Sequence, residues 1–171
     1  PVGIGVESTI VDVSGDVPAV LRPGAITMEM LKDVLGEVTI DPAILGPMAA
    51  GVRPKAPGMK YKHYSPNAHV IIVKGDFDKF ASLVAEPRSE RTCAVCFDGE
   101  EDKISVPAYP YGHADSPEEQ ARELFDVLRH VDDEKMELAF VRFPSLDGVG
   151  MAVYNRLLRA AGFEVIDLEQ N

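Results

Sequence analysis

The ten residues Pro57-Gly58-Met59-Lys60-Tyr61-Lys62-His63-Tyr64-Ser65-Pro66 alternate cations with aromatics. Ammonium groups can pair with a phosphate while a ring stacks on a base, so Lys60, Tyr61, Lys62, His63 and Tyr64 are candidates for nucleotide contacts. The same string can be a solvated hinge whose tyrosines cover apolar surface. Its setting favours chemistry: residues 46–68 carry Arg53, Lys55, Lys60 and Lys62 and no acid, inside a chain of net charge -11.

A second candidate joins Ser8 and Thr9 to Arg22-Pro23-Gly24. Strand hydroxyls can bond a small polar ligand. An arginine at a strand end, ahead of a Pro-Gly turn, can offer a phosphate its planar and always charged fork. Without other support, the same residues are ladder hydroxyls and a solvent-facing ion pair.

Three further features carry less. Cys93-Ala94-Val95-Cys96 has redox or zinc spacing, but residues three apart on a strand point to opposite faces and the chain holds no second ligand pair. Two buried cysteines are expected. Gly148-Val149-Gly150 precedes a helix as a dinucleotide loop would, yet Val153 stands where a third Gly or Ala belongs, so close packing at the helix start is the better account. His63, His69, His113 and His130 lack metal-ligand spacing. No metal site is assigned, and no residue is named as catalytic.

The elements that must position these residues divide at the acid-free stretch. Residues 1–45 have two basic against seven acidic side chains and residues 69–171 eleven against twenty-one, so the Gly-, Pro- and Ala-rich residues 46–68 read as a linker between two acidic parts. In the first part, a β-branched strand is expected over Ile4 to Val13 and a shorter one over Ala19 to Leu21. A helix is expected from Thr27, its N-cap, to about Leu35, with Ile26 and Leu31 as a hydrophobic staple and Gly36 as the stop. Two strands and a helix make a poor core, so this part is expected to lean on further sheet.

In the second part strands and helices alternate: His69 to Val73, helix Phe77 to Ala85, strand Thr92 to Phe97, a helix opened by the capping box Ser116-Pro117-Glu118-Glu119, strand Leu138 to Phe143, helix Val149 to Ala161 and strand Phe163 to Ile166. That alternation predicts an α/β fold with a Rossmann-like, open, largely parallel sheet and flanking helices.

Composition narrows the function. A chain this acidic does not grip nucleic acid or an anionic membrane by bulk electrostatics, and no apolar run approaches the roughly 20 residues of a membrane helix. Two cysteines are too few for a disulfide scaffold, and the start lacks the order of a signal peptide, so a cytoplasmic location is expected. The chain opens on Pro1 with a strand close behind, which leads us to expect a piece of a longer protein.

Three strings occur together and in order: Glu7-Ser8-Thr9-Ile10-Val11-Asp12, Leu21-Arg22-Pro23-Gly24-Ala25-Ile26-Thr27 and Ala56-Pro57-Gly58-Met59-Lys60-Tyr61-Lys62-His63-Tyr64-Ser65-Pro66. Together they resemble the Sua5/YwlC family of threonylcarbamoyl-AMP synthases. Gly148-Val149-Gly150-Met151-Ala152-Val153-Tyr154-Asn155-Arg156-Leu157 is similar to a recurrent helix of that family.

The resemblance implies that residues 1–45 end a YrdC-like catalytic domain, 46–68 form the interdomain linker or lid, and 69–171 form the Sua5 domain. It implies an enzyme that joins L-threonine, bicarbonate and ATP, with Mg2+ expected, to give L-threonylcarbamoyl-AMP and pyrophosphate for the t6A modification of tRNA. Ser8 would contact L-threonine, Arg22 would hold ATP and Tyr61 would close over the nucleotide, with Lys60, Lys62, His63 and Tyr64 as possible contributors to the lid.

The family's Lys-x-Arg motif, followed later by Ser-x-Asn, lies in an N-terminal portion with no counterpart here. This chain alone is therefore expected to be inactive without that remainder. Direct tRNA binding is not expected; partner proteins of the t6A route would make such contacts. The competing reading is a non-catalytic regulatory module whose α/β domain binds a nucleotide or a protein at its strand ends.

Overall fold

A computed structural model describes residues 5–47, 55, 65–86, 88 and 90–170. The first part holds β1 (Ile10–Asp12), β2 (Ala19–Arg22), α1 (Met28–Leu35) and β3 (Thr39–Ile40). They form a three-stranded sheet in the order β1-β2-β3, with β1 antiparallel and β3 parallel to β2.

Thr27 caps α1 as expected, its side chain accepting from the Met30 N–H, and Gly36 ends it at φ 78°, a backbone that favours glycine. The staple is different. Ile26 is exposed, and both its N–H and its carbonyl bond Thr9 Oγ1, so the hydroxyl of the residue before β1 fixes the helix entry.

β1 (Ile10–Asp12) is shorter than the predicted Ile4 to Val13, mostly at its start. Gly5 turns the chain at φ 70°, and the Ser8 carbonyl accepts from the Arg22 side chain instead of a neighbouring strand. β3 was not predicted, being two residues long. It pairs with β2 and brings Val38 beside Val20 and Ile44 in a small core that Met28, Leu31 and Met151 complete. Met151 belongs to the second part, so the first part leans on it.

The second part holds β4 (His69–Lys74), α2 (Phe77–Val84), β5 (Thr92–Cys96), β6 (Ala108–Pro110), α3 (Pro117–Asp133), β7 (Leu138–Arg142), α4 (Gly150–Ala160) and β8 (Val165–Asp167). Its five strands run in the order β6-β5-β7-β4-β8, and every ladder is parallel. The predicted α/β architecture is the one observed.

Alternation sorts the strands onto two faces. Val70, Ile72, Cys93, Val95, Ala139 and Val141 pack beneath α3 and α4; Ile71, Val73, Ala94 and Phe140 pack against Phe80 and Val84 of α2. Strands buried on both faces need continuous apolar runs, which is why β4, β5 and β7 were readable from sequence.

Two expectations fail locally. The capping box does not form: Ser116 makes no side-chain cap, and its N–H donates to the His113 carbonyl while Glu119 Oε2 accepts from the His113 backbone N–H and lies 2.8 Å from its Nδ1. The last strand begins two residues late, since Gly162 and Phe163 both take positive φ and the Phe163 N–H closes on the Leu158 carbonyl at the end of α4. β6, bounded by Pro107 and Pro110, was also missed. Among the described residues, no helix is long and apolar enough to cross a membrane.

Candidate functional site

Ser8 and Arg22 meet. The Arg22 guanidinium donates from Nε to the Ser8 carbonyl at 2.9 Å and from Nη2 to Ser8 Oγ at 3.0 Å. A planar fork makes this possible, because two N–H vectors in fixed relation match two oxygens of one residue. Ser8 itself is exposed and Arg22 half-buried, so the pair presents a hydroxyl and a permanent cation at the surface.

The turn after Arg22 is built for close approach. A Cβ on Gly24 would run into the Glu7 carbonyl, the Thr9 N–H and the Ser8 carbonyl carbon, so only glycine lets the Pro23-Gly24 turn lie against residues 7–9. Thr9 then ties Ile26, with Oγ1 donating to the Ile26 carbonyl at 2.8 Å. The first two strings singled out in the sequence are thus two sides of one contact. The remaining candidates, Lys60, Tyr61, Lys62, His63 and Tyr64, lie outside the described residues.

The other cysteine, glycine and histidine candidates resolve into packing or surface contacts. Cys93 and Cys96 are free and buried, and burial pushes both thiols up to about 12. Thiols held that high stay protonated and unreactive at neutral pH. Gly150 lies so close to the Ser145 carbonyl that a Cβ would collide with it. His69 bonds Glu164 at 2.6 Å, and His130 meets the Tyr109 ring edge-on at 4.7 Å.

Sequence reasoning missed what surrounds His113. Its Nδ1 lies 3.0 Å from Asp98 and 2.8 Å from Glu119, and the three side chains each place a ligand-type atom within 4.8 Å of the others. They line an open cavity of about 400 Å³ with Pro110, Gly112, Arg122 and Glu123. Only folding of β5, β6 and α3 brings them together, so spacing along the chain gave no signal.

The strand ends of the parallel sheet are where an α/β domain would take a nucleotide. Here the position at the end of β7 is filled. Arg142, at the end of β7, pairs with Glu100 at 3.2 Å, donates to the Gly75 carbonyl at 2.7 Å and sits over the rings of Phe80 and Phe97. Tyr111, fully buried, donates to the Arg142 carbonyl and stacks on Phe97.

A family model described as threonylcarbamoyl-AMP synthase, C-terminal domain, matches residues 26–162. The chain belongs to this family. Threonylcarbamoyl-AMP synthase of Pyrococcus abyssi (strain GE5 / Orsay) is 39% identical over 168 residues, covering 95% of this chain and 48% of that protein. The Bacillus subtilis (strain 168) enzyme is 37% identical, over 97% and 48%, and that of Schizosaccharomyces pombe 31%, over 93% and 43%.

The crystal structure of P. abyssi Sua5 complexed with L-threonine superposes with a TM-score of 0.83 at 38% identity, covering 96% of this chain and 48% of that one. This chain therefore spans about half the length of the curated relatives it matches.

Proposed function

We propose that this chain is the C-terminal portion of an L-threonylcarbamoyladenylate synthase, which forms L-threonylcarbamoyl-AMP and pyrophosphate from L-threonine, bicarbonate and ATP for tRNA t6A modification. The observation that carries this reading is the contact of Arg22 with Ser8, which unites two family strings at the surface of a chain 39% identical to a named synthase. That a relative is seen complexed with L-threonine supports threonine as a substrate.

In this reading Ser8 Oγ bonds L-threonine and Arg22, locked by its other bonds, sets a cation against the phosphates of ATP. The threonine amine condenses with bicarbonate to a carbamate with loss of water, and a carbamate oxygen attacks the α-phosphorus as its bond to the β-phosphate oxygen breaks and pyrophosphate leaves. Positive charge fixed before the reaction stabilises the charge that develops on the phosphates. Tyr61 closes over the nucleotide, with Lys60, Lys62, His63 and Tyr64 beside it, and a closed lid keeps water from the mixed anhydride.

Mg2+ would accompany ATP, but the described residues beside Ser8 offer it no ligand set. Glu7 is paired with Arg156, and Asp12 accepts from the hydroxyl and N–H of Ser14. The contacts of Arg142 occupy the end of β7 and speak against a nucleotide at that position. The Lys-x-Arg motif of the family is absent from the 171 residues, so the chain by itself is inactive in this reading.

The test is calorimetric titration of ATP with Mg2+ and L-threonine into this chain and into the same chain joined to its presumed N-terminal portion. Binding and pyrophosphate release by the longer protein alone, weakened by Arg22→Ala or Tyr61→Ala, is the expected result. Equal binding by the 171-residue chain, indifferent to both substitutions, would replace this reading with that of a regulatory module.

A further inference from the structure

Helix α4 of the second part reaches the first part along one stripe. Met151, Asn155 and Arg159 are spaced by four and share a face. Met151 packs with Val20, Val38 and Ile44; Asn155 Nδ2 donates to the Ile44 carbonyl at 2.8 Å; and Arg159 Nη2 donates to the Ala43 carbonyl at 2.8 Å. One turn of chain at residues 43–44 is thus held by two long side chains from more than a hundred residues away.

The neighbouring residue reaches the candidate site. Arg156 donates from Nη1 to Glu7 Oε2 at 3.2 Å, with its guanidinium over the Phe125 ring and its side chain only 11% exposed. Glu7 directly precedes Ser8. Just before it, Val6 packs against the core beneath α3 and α4, and Gly5 lies against the backbone of Ala121 and Arg122 so closely that no Cβ fits. Residues 5–7 are therefore seated on α3 and α4, and Ser8 is the first residue to leave that seat and meet Arg22.

We propose that Arg156 is a positioning residue for the L-threonine site: by holding Glu7 it fixes where Ser8 Oγ stands relative to Arg22. The inference rests on the assignment of Ser8 and Arg22 above. A guanidinium packed on an aromatic ring is a rigid anchor, and the 40% exposed Glu7 carboxylate, beside the seats of Gly5 and Val6, is the point at which it holds the segment next to Ser8. Loss of the anchor lets Ser8 Oγ shift and loosens its bonds to Arg22, but Arg22 keeps its charge and its place at the end of β2, so the larger effect falls on the residue that would bond threonine. That predicts a selective effect on threonine.

The experiment uses the full-length synthase, with steady-state pyrophosphate release at varied L-threonine and varied ATP. Arg156→Gln is expected to raise KM for L-threonine about tenfold with kcat and KM for ATP within about twofold. Arg156→Lys should recover part of the loss. Glu7→Gln, which alters the exposed partner and leaves the packed arginine intact, should raise the same KM, and the double variant should be no worse than the worse single one.

If Ser8→Ala raises KM for L-threonine and neither Arg156→Gln nor Glu7→Gln does, the positioning role is overturned and the site assignment survives. If apparent kcat falls in proportion to lost folded protein while both KM values stay unchanged, α4 is merely structural and the proposal fails. If Ser8→Ala and Arg22→Ala are themselves silent, the assignment fails and takes this inference with it.

Discussion

Arg22 bonds Ser8 twice, through Nε to its carbonyl and through Nη2 to its hydroxyl, across a turn whose Gly24 touches the backbone of the same segment. Both oxygens belong to one residue, so the contact reads the geometry of the fork as well as its charge. Arg22→Lys keeps the charge and loses the second bond. We expect that variant, in the longer protein, to bind ATP about tenfold more weakly while losing about 1 kcal/mol of stability or less, because the pair is near solvent. Calorimetry and a denaturant midpoint separate the two effects.

Gly24→Ala should be far more damaging than its size suggests. The new methyl group meets three backbone atoms that cannot move independently, the Glu7 carbonyl, the Thr9 N–H and the Ser8 carbonyl carbon. A cost of about 1–3 kcal/mol is expected, with loss of the Ser8 to Arg22 contact. Gly46→Ala, whose methyl would have room, serves as the control and should stay within about 0.5 kcal/mol. Equal midpoints for the two variants would refute the close approach.

Which parts of this were legible beforehand follows from how far apart the partners lie. β4, β5 and β7 announce themselves because burial on both faces demands apolar runs, and Thr27 and Gly36 mark α1 by local chemistry. Ser8 and Arg22 could be named as types able to do chemistry, but only the fold shows that they touch. β3 and β6 are too short to leave a pattern, and each exists because a longer strand offers it an edge. Glu7 with Arg156, and Asp98 with His113 and Glu119, depend on long-range approach, so no spacing encodes them.

His113 gives a pH signature. The hydrogen bond that the His113 ring donates to Glu119, with the charges of Glu119 and Asp98 behind it, raises the imidazole above 6.5, while the backbone and ring of His113 hold Glu119 below 4.5. A raised histidine stabilises the fold fully below 6.5, and that contribution fades as pH rises through its folded value. The lowered carboxylate contributes above 4.5 and fades as pH falls through its own. The pair therefore helps most between 4.5 and 6.5. An NMR titration of the His113 ring should place its pKa above 6.5 and Glu119→Gln should bring it down; a midpoint at or below 6.5 in the unaltered chain would contradict the pairing.

The cysteines should be silent until the fold opens. Both are buried in β5 with thiols pushed up to about 12, so a thiol-specific disulfide reagent at mildly alkaline pH is expected to label neither in the native chain and both after denaturation. Rapid labelling of the native chain would show that β5 opens readily or is not central.

Arg142 decides between the two parts as the place for nucleotide. Its pairing with Glu100, its bond to the Gly75 carbonyl and its seat over Phe80 and Phe97 make it the plug at the end of β7, with side chains of the ion pair 11% and 17% exposed. Removing one member of so enclosed a pair strands the other, at about 3 kcal/mol or more. Arg142→Ala should therefore lower the unfolding midpoint sharply, and Arg142→Met, which refills the space, should do less harm when Glu100→Gln accompanies it. Neither touches Ser8 or Arg22, so at a temperature where the longer protein stays folded, ATP affinity should hold within about twofold for the double variant. A large loss of affinity there, with the fold intact by circular dichroism, would move the nucleotide to the strand ends and take Arg22 out of its role.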